Sequence, residues 1–183
     1  VLAHVIQRAT GKSIQSLLDE LIFSPLNMRE TKFWLKPEDL PRLMPMYGTG
    51  QLHCIPPISP HKHILKRMDV SAQHPTLSKN FCRGGYGLFS TTSDYACFVR
   101  MLLNGKAPSG EQILSPQMME MMLPNRVPLS ELPLRISYWP ISGYGWNLIG
   151  RIMMDPKEAI AATTLGEFGW AGAASTFFWI DPK

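Results

Sequence analysis

The chain has 183 residues, 45% of them apolar and 17% charged, with a formal net charge of +4. A compact chain of this size buries about 70% of its unfolded surface, so a core can form and a disordered polymer is excluded. No apolar run reaches the roughly 18 residues that cross a bilayer, and the basic residues, densest at His61-Lys62-His63-Ile64-Leu65-Lys66-Arg67, lack the interleaved aromatics of a nucleic-acid platform.

The start, Val1-Leu2-Ala3-His4, is neither a signal peptide nor an initiator Met; it reads as an interior cut and is silent on compartment. Val1, Leu2, Val5, Ile6 and Ala9 recur at helical spacing up to Gly11, which predicts a first helix packed through that face. Ser13 can cap a second helix with the apolar face Ile14, Leu17, Leu18, Leu21 and Ile22, ended by Pro25. Pro25-Leu26-Asn27-Met28 then turns the chain into a short strand, Thr31 to Leu35. From Lys36 to Phe81 prolines recur (Pro37, Pro41, Pro45, Pro56, Pro57, Pro60, Pro75) and no period is sustained. A stretch so long and irregular fits a surface excursion or a binding loop beside a cleft.

Regularity returns at Gly84-Gly85-Tyr86-Gly87-Leu88, which is neither GxGxxG nor a phosphate loop. Thr91-Thr92-Ser93-Asp94 reads as a capping box, with the Thr91 hydroxyl and the Asp94 carboxylate satisfying free backbone donors. The helix it opens, Thr92 to Asn104, should bury Tyr95, Phe98, Val99, Leu102 and Leu103 and stop at Gly105. Ser115-Pro116 starts another, whose Met118, Met119, Met121 and Met122 read as core filler. Tyr144 to Met153 and Phe168 to Ile180 read as strands, the second broken by glycines and alanines. Helices first and strands last make the class α+β. The strand set reads as incomplete, because the chain stops at Asp181-Pro182-Lys183 just after a strand.

Candidate chemistry is sparse. His53-Cys54 and His61-x-His63 offer zinc-type ligands, but in a proline-rich loop without a clear fourth partner, so no metal is expected. Cys54, Cys82 and Cys97 form no CxxC pair, and their odd number argues against a disulfide framework. No GxSxG elbow occurs. Ser59-Pro60-His61-Lys62 matches SxxK, in which a lysine one helical turn on can serve the serine as base. With Ser78-Lys79-Asn80 and Trp170-Ala171-Gly172 it mimics the three boxes of penicillin-recognising enzymes in chain order. Only fifteen residues separate Lys62 from Ser78, too few for the helical subdomain that lies between the first two boxes, so this triad reads as a decoy.

The flanking segments carry a broader resemblance. Val1-Leu2-Ala3-His4-Val5-Ile6-Gln7-Arg8-Ala9-Thr10-Gly11-Lys12-Ser13 resembles the helix after the Tyr-x-Asn box of class C β-lactamases and family VIII esterases. Pro25-Leu26-Asn27-Met28 with Thr31 resembles the PLGM-x-x-T turn of that family, and Gly84 to Thr91 with Asp94, Tyr95 and Phe98 its GGxGLxST-x-x-D segment. Leu102-Leu103-Asn104-Gly105 and Ile113-Leu114-Ser115-Pro116 are similar to the next two elements. Phe168-Gly169-Trp170-Ala171-Gly172-Ala173-Ala174 with Phe178-Trp179-Ile180-Asp181-Pro182 resembles the strand of the third box.

The resemblance to this β-lactamase-related, penicillin-binding-protein-like serine hydrolase superfamily implies an antiparallel sheet packed with helices. It implies that residues 1–183 are the C-terminal portion of one such domain, incomplete at both ends, with 36–81 as an excursion near the cleft. The SxxK serine and lysine and the Tyr-x-Asn tyrosine would then lie outside this chain. Where β-lactamases carry Lys-Thr-Gly, this sequence has Trp170-Ala171-Gly172: a cation becomes an aromatic wall and a hydroxyl donor is lost. The resemblance therefore implies a pocket for neutral acyl groups, as in the esterase and acyl-transfer branches, with Gly172 allowing close approach of substrate. It also implies the Ala173 backbone N–H as second oxyanion-hole donor. The expected substrate is a small ester or amide handled through an acyl-enzyme, with no cofactor, no nucleic acid and no transmembrane segment. A non-catalytic relative using the same cleft for binding, and a free-standing interaction domain beginning at Val1, are the competing readings.

Overall fold

The structure is a computed structural model that describes residues 1–48, 66–68, 82, 84–136, 139–172 and 176–183. Its contacts cluster into two units, Val1–Phe98 and Val99–Lys183.

The first unit begins with α1 (Leu2–Thr10), closed by Gly11 in a left-handed conformation (φ 69°) whose N–H reaches the Gln7 carbonyl. The expected packing face of α1 is corrected. Val5 is 53% exposed and no α1 residue is buried. The more sheltered positions are Ala3 and Gln7, one turn apart; a Cβ on Gly84 would lie 2.4 Å from the Ala3 methyl, so Ala3 marks where the helix is seated. Ser13 caps α2 (Ile14–Leu18) as expected, accepting the Ser16 N–H at 3.0 Å. A wider, π-type turn, Asp19–Phe23, follows and rotates the apolar residues. Leu21 is thereby exposed, while Gln15 is buried with its side chain bonded to Asp19 (2.6 Å) and to the Phe33 N–H (3.3 Å). Leu26, Met28, Phe33 and Leu35 join Ile14 and Phe23 in the core.

The strand expected over Thr31 to Leu35 is only a bridge. Lys32 and Phe89 exchange both backbone hydrogen bonds, at 2.9 and 2.8 Å, and pairing goes no further. Beside it, the Asp94 carboxylate accepts the Glu30 N–H at 2.8 Å and the Thr31 hydroxyl at 2.9 Å, and Thr31 also meets the Ser90 hydroxyl at 2.7 Å. The capping box is therefore half formed. Thr91 accepts the Asp94 N–H at 3.2 Å, but the Asp94 carboxylate is committed to residues more than sixty positions earlier.

Part of the proline-rich stretch is regular. Pro37–Arg42 forms a 3₁₀ turn, and β1 (Tyr47–Gly48) pairs antiparallel with β2 (Lys66–Arg67). Asp39 accepts the Lys32 ammonium at 2.8 Å and the Lys36 N–H at 3.1 Å, and these bonds hold its carboxyl below the usual carboxylate range. The rest of the expected excursion, including 49–65 and 69–81, lies outside the described residues.

Helix α3 (Thr92–Asn104) runs through the boundary between the units. Its buried side chains are Asp94, Met101 and Leu102, whereas Tyr95 and Leu103, expected inside, are exposed. In the second unit Gly105 (φ 75°) ends the helix, and its carbonyl accepts the N–H groups of Ile113 and Leu114, both at 2.9 Å. The short α4 (Pro116–Met122) is capped by Ser115, as expected. Met118 and Met121 are exposed rather than core filler, because a seven-residue helix offers only one sheltered side, here Met119 and Met122.

A hairpin of β3 (Leu134–Ile136) and β4 (Trp139–Ile141) precedes an antiparallel four-stranded sheet. The stretch expected as one strand from Tyr144 is two, β5 (Tyr144–Trp146) and β6 (Arg151–Met153); the one from Phe168 is β7 (Phe168–Ala171) and β8 (Phe177–Ile180). The order is β5-β6-β7-β8, a meander. Ile152, Phe168 and Ile180, aligned across β6, β7 and β8, are buried together.

Thr31→Val should cost about 1–3 kcal/mol, since it removes the hydroxyl that joins Asp94 to Ser90 and leaves both short of a partner. Val5→Asp should stay within about 0.5 kcal/mol, as exposed substitutions do. Urea unfolding midpoints check both; equal costs would contradict this packing.

Candidate active site

Strand β7 carries the residues singled out in the sequence. Its register with β8 pairs Trp170 with Phe178 and Ala171 with Phe177, and the Gly172 N–H continues the ladder to the Thr176 carbonyl at 2.7 Å. Backbone groups alternate sides along a strand. Those of Trp170 and Gly172 thus face β8, and those of Gly169 and Ala171 face the other way. On that other side β6 pairs only with Phe168 and Gly169. Among the described residues no strand pairs with Ala171 there, so its N–H and C=O lie on an open stretch of edge.

Glycines let the backbone around β7 pack closely. A Cβ on Gly169 would fall 2.2 Å from the Phe178 carbonyl oxygen, and one on Gly150 would fall 2.5 Å from the Gly169 oxygen and 3.0 Å from the Trp170 Cβ. At Gly172 the near neighbour is internal, the Thr176 hydroxyl at 2.3 Å. The half-buried Trp170 meets Trp146 edge-to-face, with ring centroids 4.5 Å apart and planes at 69°.

Two asparagines build the frame beneath these rings. Asn125 Oδ1 accepts the Trp146 N–H at 2.9 Å, and the Trp146 carbonyl accepts the Arg126 N–H at 2.7 Å. Gly145 makes room, for a Cβ there would sit 2.4 Å from Asn125 Oδ1. Asn147, 2% exposed, closes the β5–β6 turn: its Oδ1 accepts the N–H groups of Ile149 (2.8 Å) and Gly150 (2.9 Å), and its Nδ2 donates to the Leu123 carbonyl (3.1 Å). Sequence reading did not single out Trp146, Asn147 or Gly150; the signal was there, as an Asn and a Gly three residues apart inside a supposed strand.

The local charges are committed. The Arg151 guanidinium lies 4.6 Å from the Tyr144 ring centroid and 5.5 Å from that of Phe177. In the first unit, partial burial raises the Cys82 thiol, and partial desolvation of the still part-exposed Tyr95 raises its phenol, above their ordinary ranges. Among the described residues no group of three or more His, Cys, Asp or Glu side chains could hold a metal. Ala173 lies outside the described residues, as do Ser59, Lys62, Ser78, Asn80, His53, Cys54, His61 and His63. Of the candidate residues, Trp170 and Ala171 lie at the end of β7 and Gly172 follows directly after it.

A family model described as Beta-lactamase matches residues 1–183. Protein Rv1367c of Mycobacterium tuberculosis is 28% identical over the whole chain, which covers 44% of that protein. A putative D-alanyl-D-alanine carboxypeptidase of Escherichia coli O157:H7 is 26% identical, with 40% of its length covered. The chain therefore spans less than half the length of these curated relatives. Among solved structures, EstCE1, a hydrolase with promiscuous acyltransferase activity, superposes with a TM-score of 0.73 at 20% identity, over 99% of this chain and 46% of that one. Simvastatin synthase (LovD) from Aspergillus terreus gives 0.73 at 20% identity, over 98% and 45%.

Gly150→Ala should lower the melting temperature and shift tryptophan emission, because the added methyl must displace the Gly169 carbonyl. Overpacking of this kind costs about 1–3 kcal/mol. A variant with the melting curve and spectrum of the parent would mean that β6 does not crowd β7 at this point.

Proposed function

The chain belongs to the β-lactamase family, and from that premise we propose that it is part of a serine esterase or acyl-transfer enzyme whose nucleophile lies outside residues 1–183. One observation supports the reading: Trp170-Ala171-Gly172, which by resemblance takes the place of the Lys-Thr-Gly of penicillin-recognising members, begins on β7, whose pairing with β6 stops at Gly169. A lysine there attracts an anionic substrate; an indole offers apolar surface and no charge. Trp170, Ala171 and Gly172 would line the acyl group, and the Ala173 N–H would be the second oxyanion donor. In the whole protein a serine would attack an ester or amide carbonyl, helped by a lysine and a tyrosine, and the tetrahedral oxygen would rest on two backbone N–H groups. The fold shared with EstCE1 and LovD supports acyl transfer to an acceptor as part of the same repertoire.

Losing one oxyanion donor costs about 2.7–4 kcal/mol; losing the nucleophile removes the covalent route. Residues 1–183 alone should therefore show no burst and no labelling by a fluorophosphonate probe. The full-length protein should label at a serine outside them and hydrolyse short p-nitrophenyl esters with a far higher kcat/KM than penicillins or cephalosporins. Comparable rates on both classes would sink the role given to Trp170. Stoichiometric labelling at Ser59, abolished by Ser59→Ala and Lys62→Ala, would place the nucleophile inside the chain. A full-length protein that neither labels nor turns over would be a binding member of the family.

A further inference from the structure

We propose, resting on the esterase reading above, that Trp146 is a positioning residue that fixes the indole of Trp170 and thereby sets selectivity for the acyl chain. The geometry points to this through three linked restraints. Both backbone polar groups of Trp146 are bonded to the 125–126 segment, through Asn125 Oδ1 at 2.9 Å and the Arg126 N–H at 2.7 Å, so the residue is pinned on the outer edge of β5. The buried Asn147 fixes the turn that brings Gly150 beside β7. Gly150 in turn has no Cβ to strike the Trp170 Cβ, which would be 3.0 Å away. What remains in contact is the edge of one indole against the face of the other, at 4.5 Å and 69°.

A lone, half-buried indole beside an open edge can change rotamer with each substrate, so its selectivity is loose. The edge-to-face contact favours one orientation over the others by roughly two- to tenfold in population. Trp146 thus makes Trp170 a fixed wall. The acyl groups favoured are neutral ones that fit against that wall as it stands, and longer chains that need the ring to swing are penalised.

The test uses the full-length protein, the Trp146→Phe, Trp146→Ala, Trp170→Phe, Trp170→Ala and Trp179→Phe variants, and the Trp146→Ala, Trp170→Ala double variant. Indoles held this close in a fixed, non-parallel orientation give an exciton couplet in far-ultraviolet circular dichroism. The couplet should be lost in Trp146→Phe and in Trp170→Phe alike, and kept in Trp179→Phe. In kinetics, Trp146→Ala should shift the kcat/KM ratio of p-nitrophenyl butyrate to octanoate by roughly two- to tenfold, Trp146→Phe should restore most of it, and Trp146→Ala should add nothing in a Trp170→Ala background. An unchanged ratio, or a change of equal size with and without Trp170, overturns the proposal. A protein that hydrolyses no ester would defeat the esterase reading and the selectivity with it. The couplet would still decide whether Trp146 holds Trp170, since its survival in Trp146→Phe overturns the contact itself.

Discussion

The buried carboxylate of Asp94 organises the first unit. It accepts the Glu30 N–H and the Thr31 hydroxyl, so two short segments far apart in sequence meet at one side chain. A buried carboxylate is tolerated only when its oxygens are satisfied, and a partly satisfied one is costly. That asymmetry forces the rest into place: the Thr31 hydroxyl also meets Ser90, the Lys32–Phe89 bridge closes next door, and α3 starts where Thr91 takes the Asp94 N–H. The Pro25-Leu26-Asn27-Met28 turn delivers Thr31 by burying Leu26 and Met28, with Asn27 in the left-handed region at φ 58°. Asparagine is among the few non-glycine residues that visit it readily.

The second unit is governed by missing side chains. Gly145, Gly150 and Gly169 each lie where a Cβ would strike another group at 2.5 Å or less. Close backbone packing of this kind brings the Trp146 ring to Trp170 and ends the β6 ladder at Gly169. Beyond it no strand among the described residues pairs with Ala171 on that side. Strand pairing, glycine placement and the candidate site are thus one geometric fact.

This division explains what was legible in the sequence. Caps at Ser13 and Ser115 and stops at Gly11 and Gly105 were readable because each is a local hydrogen bond or a local backbone conformation. The β-lactamase-like fold was readable from ordered motifs, which the matching family model and the solved structures bear out. Burial was not. Val5 and Leu103 are apolar at helical spacing yet exposed, since periodicity identifies a face without saying what stands opposite it. The two long strands were misread for a related reason: β-branched and aromatic residues run through Tyr144 to Met153, but Asn147 and Gly150 make the better bonds as a turn. Trp170 to Gly172 were singled out as candidates by motif. The second indole was not, because its contact is made across two strands.

Packing alone is a weak account of Trp170. The residues that fill the sheet core at this level are Phe168, Ile152 and Ile180, all buried, while Trp170 is only half so. Stability favours burying an indole fully, because its area is large and its N–H can reach a partner. A lysine at the same position would have the Trp146 ring within reach as a cation–π partner. The fold thus accommodates either the cation of the penicillin-recognising members or the indole found here. On the proposed esterase reading, the choice between them would fall to what approaches the strand edge at Ala171, where an indole held by Trp146 would favour a neutral, apolar group.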